Sequence, residues 1–294
     1  MSEKRRVAIF GSTGQLGIEL VDVFRRSEGF DVIPLTHEDV DCADGGSVRN
    51  VLGGARPEIV INSAAYVRVD DCEDHAREAF EVNAIGALNV ARVCAELDAV
   101  CVYISTDYVF DGLKRAPYVE SDPVCPINVY GASKLAGEFL TRQTATRWLI
   151  VRAASLFGRA GARGKGGNFV EAIIAKAKRG EPLTVVNDVR MSPTYARDAA
   201  AALVGLLDTR AEGVVHLTNN GACSWYEFAA RAVELAGLRT SISPVSSEEY
   251  PSRARRPKNS ALVSEHASVK LRSWQDALKA YLLEKGHIAS LTVV

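Results

Sequence analysis

A tyrosine and a lysine stand four residues apart, at Tyr130 and Lys134, in the segment YGASKLAGE. The segment is predicted to be helical, and residues i and i+4 of a helix share one face, so the phenol and the ammonium can lie close together. A free tyrosine has a pKa of about 10, whereas a lysine cation beside it favours the phenolate and makes proton transfer near neutral pH easier. The spacing alone also fits a half-buried tyrosine beside a solvated lysine, so the pair needs support from other parts of the chain.

Three glycines, Gly11, Gly14 and Gly17, follow the first predicted strand in the segment FGSTGQLG, where the first helix is predicted to begin. Glycine permits a tight turn, lets backbone amides approach a pyrophosphate, and lets the helix pack close to the sheet. The spacing is G-x-x-G-x-x-G rather than the common G-x-G-x-x-G. In this strand, turn and helix context the motif predicts dinucleotide binding by Gly11, Thr13, Gly14, Gln15, Leu16 and Gly17.

The choice between NADP and NAD depends on the end of the second predicted strand, in the segment LTHED. A carboxylate that binds the adenosine ribose is expected at that strand tip, about 20 residues after the glycines. Here Thr36 and His37 come first, and Glu38 and Asp39 follow slightly late. The missing acid removes a repulsion against a 2′-phosphate, although the segment has no arginine to bind one. We therefore expect NADP as the cofactor, with NAD as the alternative.

Small and hydroxyl-bearing residues follow the next two predicted strands. The third strand ends in INSAAY, where Ala64 and Ala65 could line the cofactor groove, although small residues at a strand end are also ordinary. The fourth ends in YISTDYVFDG, which puts Thr106 and Asp107 at the strand terminus. Because ligands bind beyond the carboxyl ends of parallel strands, we expect these residues to face the same cleft as Tyr130.

The composition is that of an ordinary globular protein and excludes several classes of function. Of the 294 residues, 47% are hydrophobic and 24% charged, and the net charge of −1 gives no electrostatic reason to expect a nucleic acid or an anionic membrane as partner. No apolar run reaches the roughly 18 residues that span a bilayer, and the N-terminus lacks the apolar segment of a secretory signal. Six scattered cysteines and five single histidines predict a reduced, cytoplasmic protein without a metal site.

Short apolar runs alternate with helical patterns through the first half of the chain. The predicted strands are RVAIFGS, FDVIPLT, EIVINSAA, AVCVYIST and RWLIVRAAS. This alternation predicts the α/β class, with a Rossmann-like, doubly wound parallel sheet covered by helices on both faces. From about residue 156 the less regular pattern predicts a smaller mixed α/β lobe for the substrate. We assign residues 1–155, with 188–210 returning, to the dinucleotide-binding domain, and residues 156–187 and 211–294 to the substrate lobe.

These segments occur in an order and spacing that resemble the dTDP-4-dehydrorhamnose reductase family, in the sugar-nucleotide branch of the short-chain dehydrogenase/reductase superfamily. The resemblance covers about residues 5–283 and is carried by GSTGQLG, VINSAAYVRVDDCE, VNAIGALNVA, ISTDYVFDG, NVYGASKLAGE, GGNFV, MSPTYARDAA, SWYEFA and YPSRARRPKNSAL. The glycine motif occurs throughout the superfamily, whereas STDYVFDG, SPTY and the RRPKNS loop discriminate this branch. The resemblance implies NAD(P)H-dependent reduction of the C4 ketone of dTDP-4-dehydro-L-rhamnose to dTDP-L-rhamnose.

The resemblance also implies a role for each matching residue. Thr106 would polarise the substrate carbonyl, Tyr130 would donate the proton, and Lys134 would tune the tyrosine and bind the nicotinamide ribose. The cofactor residues that it adds to the glycine turn are Asp41, Cys42, Ala64, Ala65, Tyr66, Asn83, Tyr130 and Lys134, with Asn83 supporting the geometry of the site. The substrate residues that it implies are Val69, Asp107, Tyr108, Phe110, Ser155, Asn168, Phe169, Arg253, Arg256 and Asn259.

The sequence leaves other functions open. Ser155 stands where many family members have a tryptophan near the sugar, so the chain could be a reductase or epimerase of another nucleotide sugar. A dehydratase is disfavoured because Asp107 and Tyr108, rather than Asp-Glu, follow Thr106. A non-catalytic, NADP-binding regulatory subunit like the β subunit of methionine adenosyltransferase has this fold and similar motifs. The expected partners are a small nucleotide sugar and a second copy in a possible homodimer, with no nucleic acid and no membrane.

Overall fold

A computed structural model describes residues 4–161, 167–250, 252–266 and 269–289. Its strands are β1 (Arg5–Phe10), β2 (Phe30–Leu35), β3 (Ile59–Asn62), β4 (Val100–Thr106), β5 (Arg147–Ala153), β6 (Leu156–Phe157), β7 (Leu183–Val186), β8 (Arg190–Met191), β9 (Thr194–Tyr195), β10 (Gly213–His216), β11 (Cys223–Ser224) and β12 (Ile242–Val245). Its α-helices are α1 (Gln15–Arg26), α2 (Gly45–Ala55), α3 (Val69–Asp74), α4 (Ala76–Phe80), α5 (Gly86–Leu97), α6 (Val129–Thr144), α7 (Phe169–Lys178), α8 (Ala196–Asp208), α9 (Trp225–Leu235) and α10 (Trp274–Glu284). A π-helical turn (Glu81–Ile85) joins α4 to α5. Among the described helices, none combines the length and the apolar character that crossing a membrane requires.

Six parallel strands form the central sheet in the described part of the chain, in the order β10-β5-β4-β3-β1-β2. The chain passes from β1 to β2 on one side and then crosses back to β3 on the other, so the order reverses between β1 and β3. This arrangement confirms the predicted Rossmann-like α/β sheet. In such sheets the reversal opens a crevice at the carboxyl ends of the strands, where ligands bind.

The edge strand β10 differs from the domain assignment made from the sequence, which put residues 211–294 in the substrate lobe. It pairs in parallel with β5, and His216 lies beside Arg152 in the register. The four residues GVVH carry too little pattern to indicate which sheet they join. Only the long-range pairing with β5 decides it, so the boundary at residue 211 is wrong for this strand.

Helices cover both faces of the sheet because successive strand residues point to opposite sides. On β1, Val7 and Ile9 enter the core beneath α1 and α8, whereas Ala8 and Phe10 enter the core beneath α2 and α5. All four side chains are 1% exposed or less. Burial on both faces explains why the predicted strands are nearly continuous apolar runs.

A second core surrounds the C-terminal helices, where aromatic side chains pack against one another. Phe157 stacks on Tyr195 with the ring centroids 5.5 Å apart, and both contact the ring of Tyr281 on α10. Ser224 begins α9 with a capping box, in which its hydroxyl accepts from the amide of Glu227. Residues of α7 and α9 complete the crevice that the sheet opens.

Helix α6 packs on β4 at short range, and a glycine makes this approach possible. A Cβ atom on Gly137 would lie 2.3 Å from the hydroxyl oxygen of Tyr103 and 2.4 Å from the carbonyl oxygen of Asn83. Those two groups are joined, since the Tyr103 hydroxyl donates to the Asn83 carbonyl at 2.7 Å. The contact fixes the depth at which α6 presents Tyr130 and Lys134 to the crevice.

We predict that Gly137→Ala lowers the free energy of unfolding by about 2 kcal/mol, because overpacking and a displaced buried hydrogen bond outweigh the roughly 1 kcal/mol gained in helix propensity. The matched control is Gly205→Ala on the exposed face of α8, where nothing lies within 4 Å of the added Cβ. That variant should gain about 0.5–1 kcal/mol. Urea unfolding of both variants measures the difference, and equal shifts in the same direction would contradict the close packing of α6.

Candidate active site

A cavity of about 960 Å³ opens at the carboxyl ends of the sheet strands, where the strand order reverses. This volume lies at the upper end of the range for ligand pockets. The predicted site residues that line it are Gly11, Thr13, Gly14, Gln15, Leu16, Gly17, Asp41, Cys42, Ala64, Ala65, Val69, Thr106, Asp107, Tyr108, Tyr130, Lys134, Ser155, Asn168 and Phe169. Residues that are far apart in the sequence therefore meet in one cleft.

The glycine turn between β1 and α1 lies so close to its neighbours that side chains are excluded. Gly11 has φ +68°, and a Cβ there would lie 2.9 Å from the amide nitrogen of Ala64. A Cβ on Gly17 would lie 2.0 Å from the carbonyl oxygen of Gly11. Gly14 is the N-cap of α1, and in this fully described helix no side chain caps the start and no acid occupies the first turn. The amides at the helix start are thus available to an anion, and the turn fits a pyrophosphate.

The residues after β2 include the hydroxyl of Thr36 and the imidazole of His37 at the cavity, and the carboxylate of Asp39, which is hydrogen-bonded within the same turn. Thr36, His37 and Asp41 line the cavity. Asp39 accepts from the hydroxyl of Thr36 at 2.7 Å and from its amide at 2.8 Å, and these bonds hold the pKa of Asp39 below its ordinary value. The acid that follows the strand tip is therefore bound within its own turn.

Thr106 is the last residue of β4, and its hydroxyl forms hydrogen bonds with neighbouring polar groups. The hydroxyl donates to Oδ1 of Asp107 at 3.0 Å and accepts from the amide of Tyr108 at 3.2 Å. It also lies close enough to the phenol of Tyr130 to act on the pKa of that phenol. In this structure the single hydroxyl proton of Thr106 is donated to Asp107. If that hydroxyl turned toward the cleft, a substrate oxygen between Thr106 and Tyr130 could accept from both, which is the geometry needed to stabilise a developing oxyanion.

Burial perturbs the two polar groups that α6 brings to the cleft. Lys134 is 2% exposed, and its Nζ lies 4.1 Å from the ring centroid of Tyr103. Burial lowers the pKa of Lys134 to about 7, against the opposing influence of the Glu138 carboxylate. Burial also raises the pKa of Tyr130 above its ordinary value, and the nearby hydroxyl of Thr106 offsets this only in part.

These pKa directions correct the expectation that the Lys134 cation brings the pKa of Tyr130 closer to neutral, because the effect of burial is larger and the pKa of the phenol rises. Both polar tips lose water in the cleft, and desolvation favours the neutral form of each group. The raised pKa keeps Tyr130 a neutral phenol near neutral pH. The tyrosine is therefore in the protonation state of a proton donor, while a fraction of Lys134 has lost its charge.

Asn83 lies on the π-helical turn between α4 and α5 and joins three parts of the site. Its Oδ1 accepts from the amide of Tyr66 at 2.8 Å, and its Nδ2 donates to the carbonyl of Tyr66 at 3.2 Å and to the hydroxyl of Ser133 at 2.9 Å. Ser133 in turn donates to the carbonyl of Tyr130 at 2.8 Å. Asn83 and Tyr66 lie behind the cavity lining that the described residues form, so Asn83 acts by holding the loop after β3 against α6.

Phe110 corrects one substrate assignment, because the structure puts it in the core. It is 0% exposed, its ring stacks on Tyr118 with the centroids 4.2 Å apart, and the guanidinium of Arg152 lies 5.3 Å from its centroid. It lies outside the lining that the described residues give the cavity. Phe110 directly follows a 3₁₀ turn (Asp107–Val109), and the segment STDYVFDG does not indicate that its side chain enters the core there.

The predicted residues of the C-terminal loop are engaged by other parts of the protein. Arg253 forms an ion pair with Asp74, and Nη2 of Arg256 lies 2.9 Å from Oδ2 of Asp70. Asn259 donates its side-chain amide to two backbone carbonyl oxygens, at 2.7 and 3.0 Å. Within the described residues these side chains hold the loop in place and lie outside the cavity lining. Substrate contacts by them stay predictions, and Pro251 of the matching motif lies outside the described residues.

Asn168 and Phe169 begin α7 at the far end of the cavity. Asn168 caps the helix at 2.9 Å and donates both amide hydrogens, to a backbone carbonyl at 2.7 Å and to the hydroxyl of Tyr281 at 3.0 Å. Its side chain is thus fully bonded, and the central part of the glycine-rich stretch before it, residues 162–166, lies outside the described residues. Trp225, which the sequence analysis did not single out, lines the cavity and packs against Phe169 with the ring centroids 4.8 Å apart. The motif SWYEFA, which contains Trp225, was the sequence feature that could have indicated this residue as part of the site.

Comparison with known proteins finds relatives over nearly the whole chain. A family model described as RmlD substrate binding domain matches residues 5–286. The spore coat polysaccharide biosynthesis protein SpsK of Bacillus subtilis is 41% identical, over 95% of this chain and 98% of its own. The dTDP-4-dehydrorhamnose reductase of Burkholderia thailandensis is 37% identical, over 93% of this chain and 96% of its own. The solved structure of the Bacillus anthracis dTDP-4-dehydrorhamnose reductase in complex with NADP has a TM-score of 0.91 at 37% identity, covering 96% of this chain and all of that chain.

We predict that Asn83→Ala lowers the free energy of unfolding by about 2–3 kcal/mol, because it removes the fully buried Asn83 amide and leaves the part-buried amide and carbonyl of Tyr66 without their partner. The matched control is Asn50→Ala on the exposed side of α2, which should change stability by less than about 0.5 kcal/mol. Chemical denaturation measures both values. A loss at Asn83 no larger than at Asn50 would show that the amide does not hold the loop to α6.

Proposed function

Because this chain belongs to the RmlD substrate binding domain family, we propose that it is an NADPH-dependent reductase that converts dTDP-4-dehydro-L-rhamnose to dTDP-L-rhamnose. One observation carries the proposal. The hydroxyls of Thr106 and Tyr130 and the buried amino group of Lys134 share a cleft with a glycine turn that fits a pyrophosphate. A ketone reductase requires these three parts together, and a protein that only binds the nucleotide does not.

The cofactor end of the site supports NADP as the partner. The amides at the start of α1 would take the pyrophosphate, and Asp41, Cys42, Ala64 and Ala65 would line the path of the adenosine and nicotinamide halves. Asp39 is held in its own turn, so it does not offer a carboxylate to repel a 2′-phosphate. NADP is also the molecule bound to the similar Bacillus anthracis enzyme. NAD is retained as a weaker alternative cofactor.

The proposed mechanism assigns the proton chemistry to three side chains. When bound, the nicotinamide supplies the hydride that reduces the C4 carbonyl. Thr106 and Tyr130 hold the carbonyl oxygen through hydrogen bonds, which favours negative charge on that atom. Tyr130 transfers its phenolic proton to the oxygen as the charge develops, and Lys134 in its protonated form stabilises the phenolate that remains. Burial keeps water from competing for these hydrogen bonds.

The substrate end of the cleft has the shape and chemistry for a nucleotide sugar. Val69, Asp107, Tyr108 and Ser155 line the part beside the catalytic hydroxyls, where the sugar would lie. Beyond them the rings of Phe169 and Trp225 offer apolar faces on which a thymine base could stack. Because these two rings belong to α7 and α9, we assign substrate binding to the C-terminal elements and cofactor binding to the sheet.

An NADPH-oxidation assay with dTDP-4-dehydro-L-rhamnose tests the proposed reaction. Tyr130→Phe should lower kcat by about 10²–10⁴-fold, because it removes the proton donor while leaving the ring in place. NADPH affinity should stay close to that of the wild type. Tyr250→Phe is the matched control, since Tyr250 is 53% exposed, and it should keep full activity.

Three outcomes would contradict this assignment in different ways. Full activity of Tyr130→Phe would remove the tyrosine from the mechanism. Oxidation of NADPH with a UDP-linked 4-ketosugar, but not with the dTDP sugar, would show that another nucleotide sugar is the substrate. NADPH binding without oxidation on either sugar would favour a regulatory subunit.

We also predict that Gly11→Ala weakens NADPH binding by at least about tenfold. An alanine at φ +68° is strained by about 1–2 kcal/mol, and its Cβ would displace the loop that carries Ala64. Gly29→Ala is the matched control, because nothing lies within 4 Å of its added Cβ. Fluorescence titration of NADPH measures both affinities, with unfolding curves recorded alongside. Wild-type affinity in a folded Gly11→Ala variant would show that the pyrophosphate binds elsewhere.

A further inference from the structure

A buried ion pair lies directly behind the catalytic residues, and the proposed reaction does not use it. The side chains of Glu138 and Arg152 are each 5% exposed. Arg152 donates from Nε to Oε1 of Glu138 at 2.9 Å and from Nη2 to Oε2 at 2.7 Å, so the contact is bidentate. The hydroxyl of Ser105 donates to the same Oε1 at 2.5 Å. The carboxylate is therefore paired with the guanidinium and held in one orientation.

The three partners belong to the elements that carry the proposed catalytic residues. Ser105 directly precedes Thr106 on β4, and Arg152 lies beside Ser105 on the neighbouring strand β5. Glu138 lies four residues after Lys134 on α6, one turn further along the same face. The ion pair thus ties the helix that carries the lysine to the strand that carries the carbonyl-binding hydroxyl.

The other side of Arg152 faces a neutral acceptor. Its Nη1 lies 3.4 Å from Nε2 of His216. Nδ1 of His216 lies 3.2 and 3.1 Å from two carbonyl oxygens, so the imidazole proton is on Nδ1 and Nε2 accepts from the arginine. Burial lowers the pKa of His216, which agrees with a neutral ring. Glu138 is therefore the anion that this guanidinium faces in the described structure.

Four ionisable side chains surround Lys134 in the described part of the chain. Tyr130 and Glu138 lie on its own helix, Tyr103 comes from β4, and Cys42 comes from the loop after β2. Burial raises the pKa of Tyr103 and Tyr130, and it raises the pKa of the Cys42 thiol to about 11. These three groups are neutral near pH 7, so Glu138 is the charged member of the set.

We propose that Glu138, held by Arg152 and Ser105, is a positioning residue whose negative charge, one helical turn from Lys134, keeps the Lys134 ammonium protonated for the nicotinamide ribose. The inference rests on the proposed function, because it gives the charge of the lysine a role in cofactor binding. Burial already lowers the pKa of Lys134 to about 7 in the presence of the carboxylate. Without the carboxylate the pKa falls further, and the neutral fraction of the lysine grows at every pH above the new midpoint.

The test compares the titration of Lys134 in the wild type and in the double variant Glu138→Gln/Arg152→Gln. Glu138→Gln alone would leave a buried guanidinium without its counter-ion and risk failure to fold, whereas the double variant removes both charges. NMR of ¹³Cε-labelled lysine follows the titration, and the Lys134 signal is assigned by its loss in Lys134→Met. We expect the midpoint to fall by about one pH unit.

NADPH affinity supplies an independent readout of the same shift. A fall of one unit from a midpoint of about 7 weakens binding about tenfold at pH 8 but only about twofold at pH 6, because the lysine is still half protonated there. A merely structural defect would weaken binding equally at both pH values. In a Lys134→Met background, the added Glu138→Gln/Arg152→Gln change should no longer alter the pH dependence.

Two control variants separate charge from packing. Ser105→Ala removes one hydrogen bond to Glu138 and keeps the carboxylate, so the Lys134 midpoint should stay near the wild-type value. Glu138→Asp keeps both charges, so the Lys134 midpoint in this variant should lie close to the wild-type value.

An unchanged Lys134 midpoint in the double variant would overturn the inference. A chain that shows the shift but does not reduce the keto sugar would overturn the proposed function and leave the link between Glu138 and Lys134 standing.

Discussion

The cleft holds the ammonium of Lys134 almost entirely out of water, and much of the surrounding structure compensates for that desolvation. Burying an unpaired charge costs several kcal/mol, so the group either finds partners or loses its proton. Here the face of Tyr103 and the carboxylate of Glu138 stabilise the cation without abolishing the effect of burial. Between pH 7 and the ordinary lysine pKa of about 10.4, the unfolded chain binds more protons than the folded one. The contribution of this group to stability therefore improves as the pH rises through that window.

Such burial requires α6 to lie very close to the sheet, and two glycines allow it. A Cβ on Gly131 would lie 2.1 Å from the carbonyl oxygen of Tyr108, and the corresponding atom on Gly137 would meet the hydroxyl of Tyr103. The segment YGASKLAGE thus specifies a backbone approach as well as a pair of polar side chains. Its glycines determine how deeply Lys134 sits, and that depth determines the pKa that the polar residues acquire.

The central sheet and most of the residues that line the cleft could be predicted from local sequence patterns. The predictions that the structure corrected all depend on long-range contacts. Alternating strands and helices predict the parallel sheet, and the rule that ligands bind at strand ends predicts that Thr106 and Tyr130 meet. The position of the edge strand β10 was not predicted, because a segment of four residues carries no pattern that indicates pairing with β5. The burial of Phe110 was not predicted, because only the folded chain brings Tyr118 and the guanidinium of Arg152 against its ring. The upward shift of the Tyr130 pKa was not predicted for a related reason, since i,i+4 spacing indicates that two side chains are close but not how far they are removed from water.

That last correction changes how the proton chemistry depends on pH. In the proposed mechanism, reduction needs a neutral Tyr130 to give up its proton and a charged Lys134 to stabilise the phenolate that remains. The raised pKa of Tyr130 satisfies the first condition across the neutral range, so the phenol does not limit the reaction there. The second condition holds below the lysine midpoint near pH 7, because the ammonium loses its proton above it. In the proposed mechanism the lysine, rather than the tyrosine, therefore sets the alkaline limit of the reaction, and the proposed effect of the buried Glu138–Arg152 pair is to move that limit upward by favouring the charged lysine.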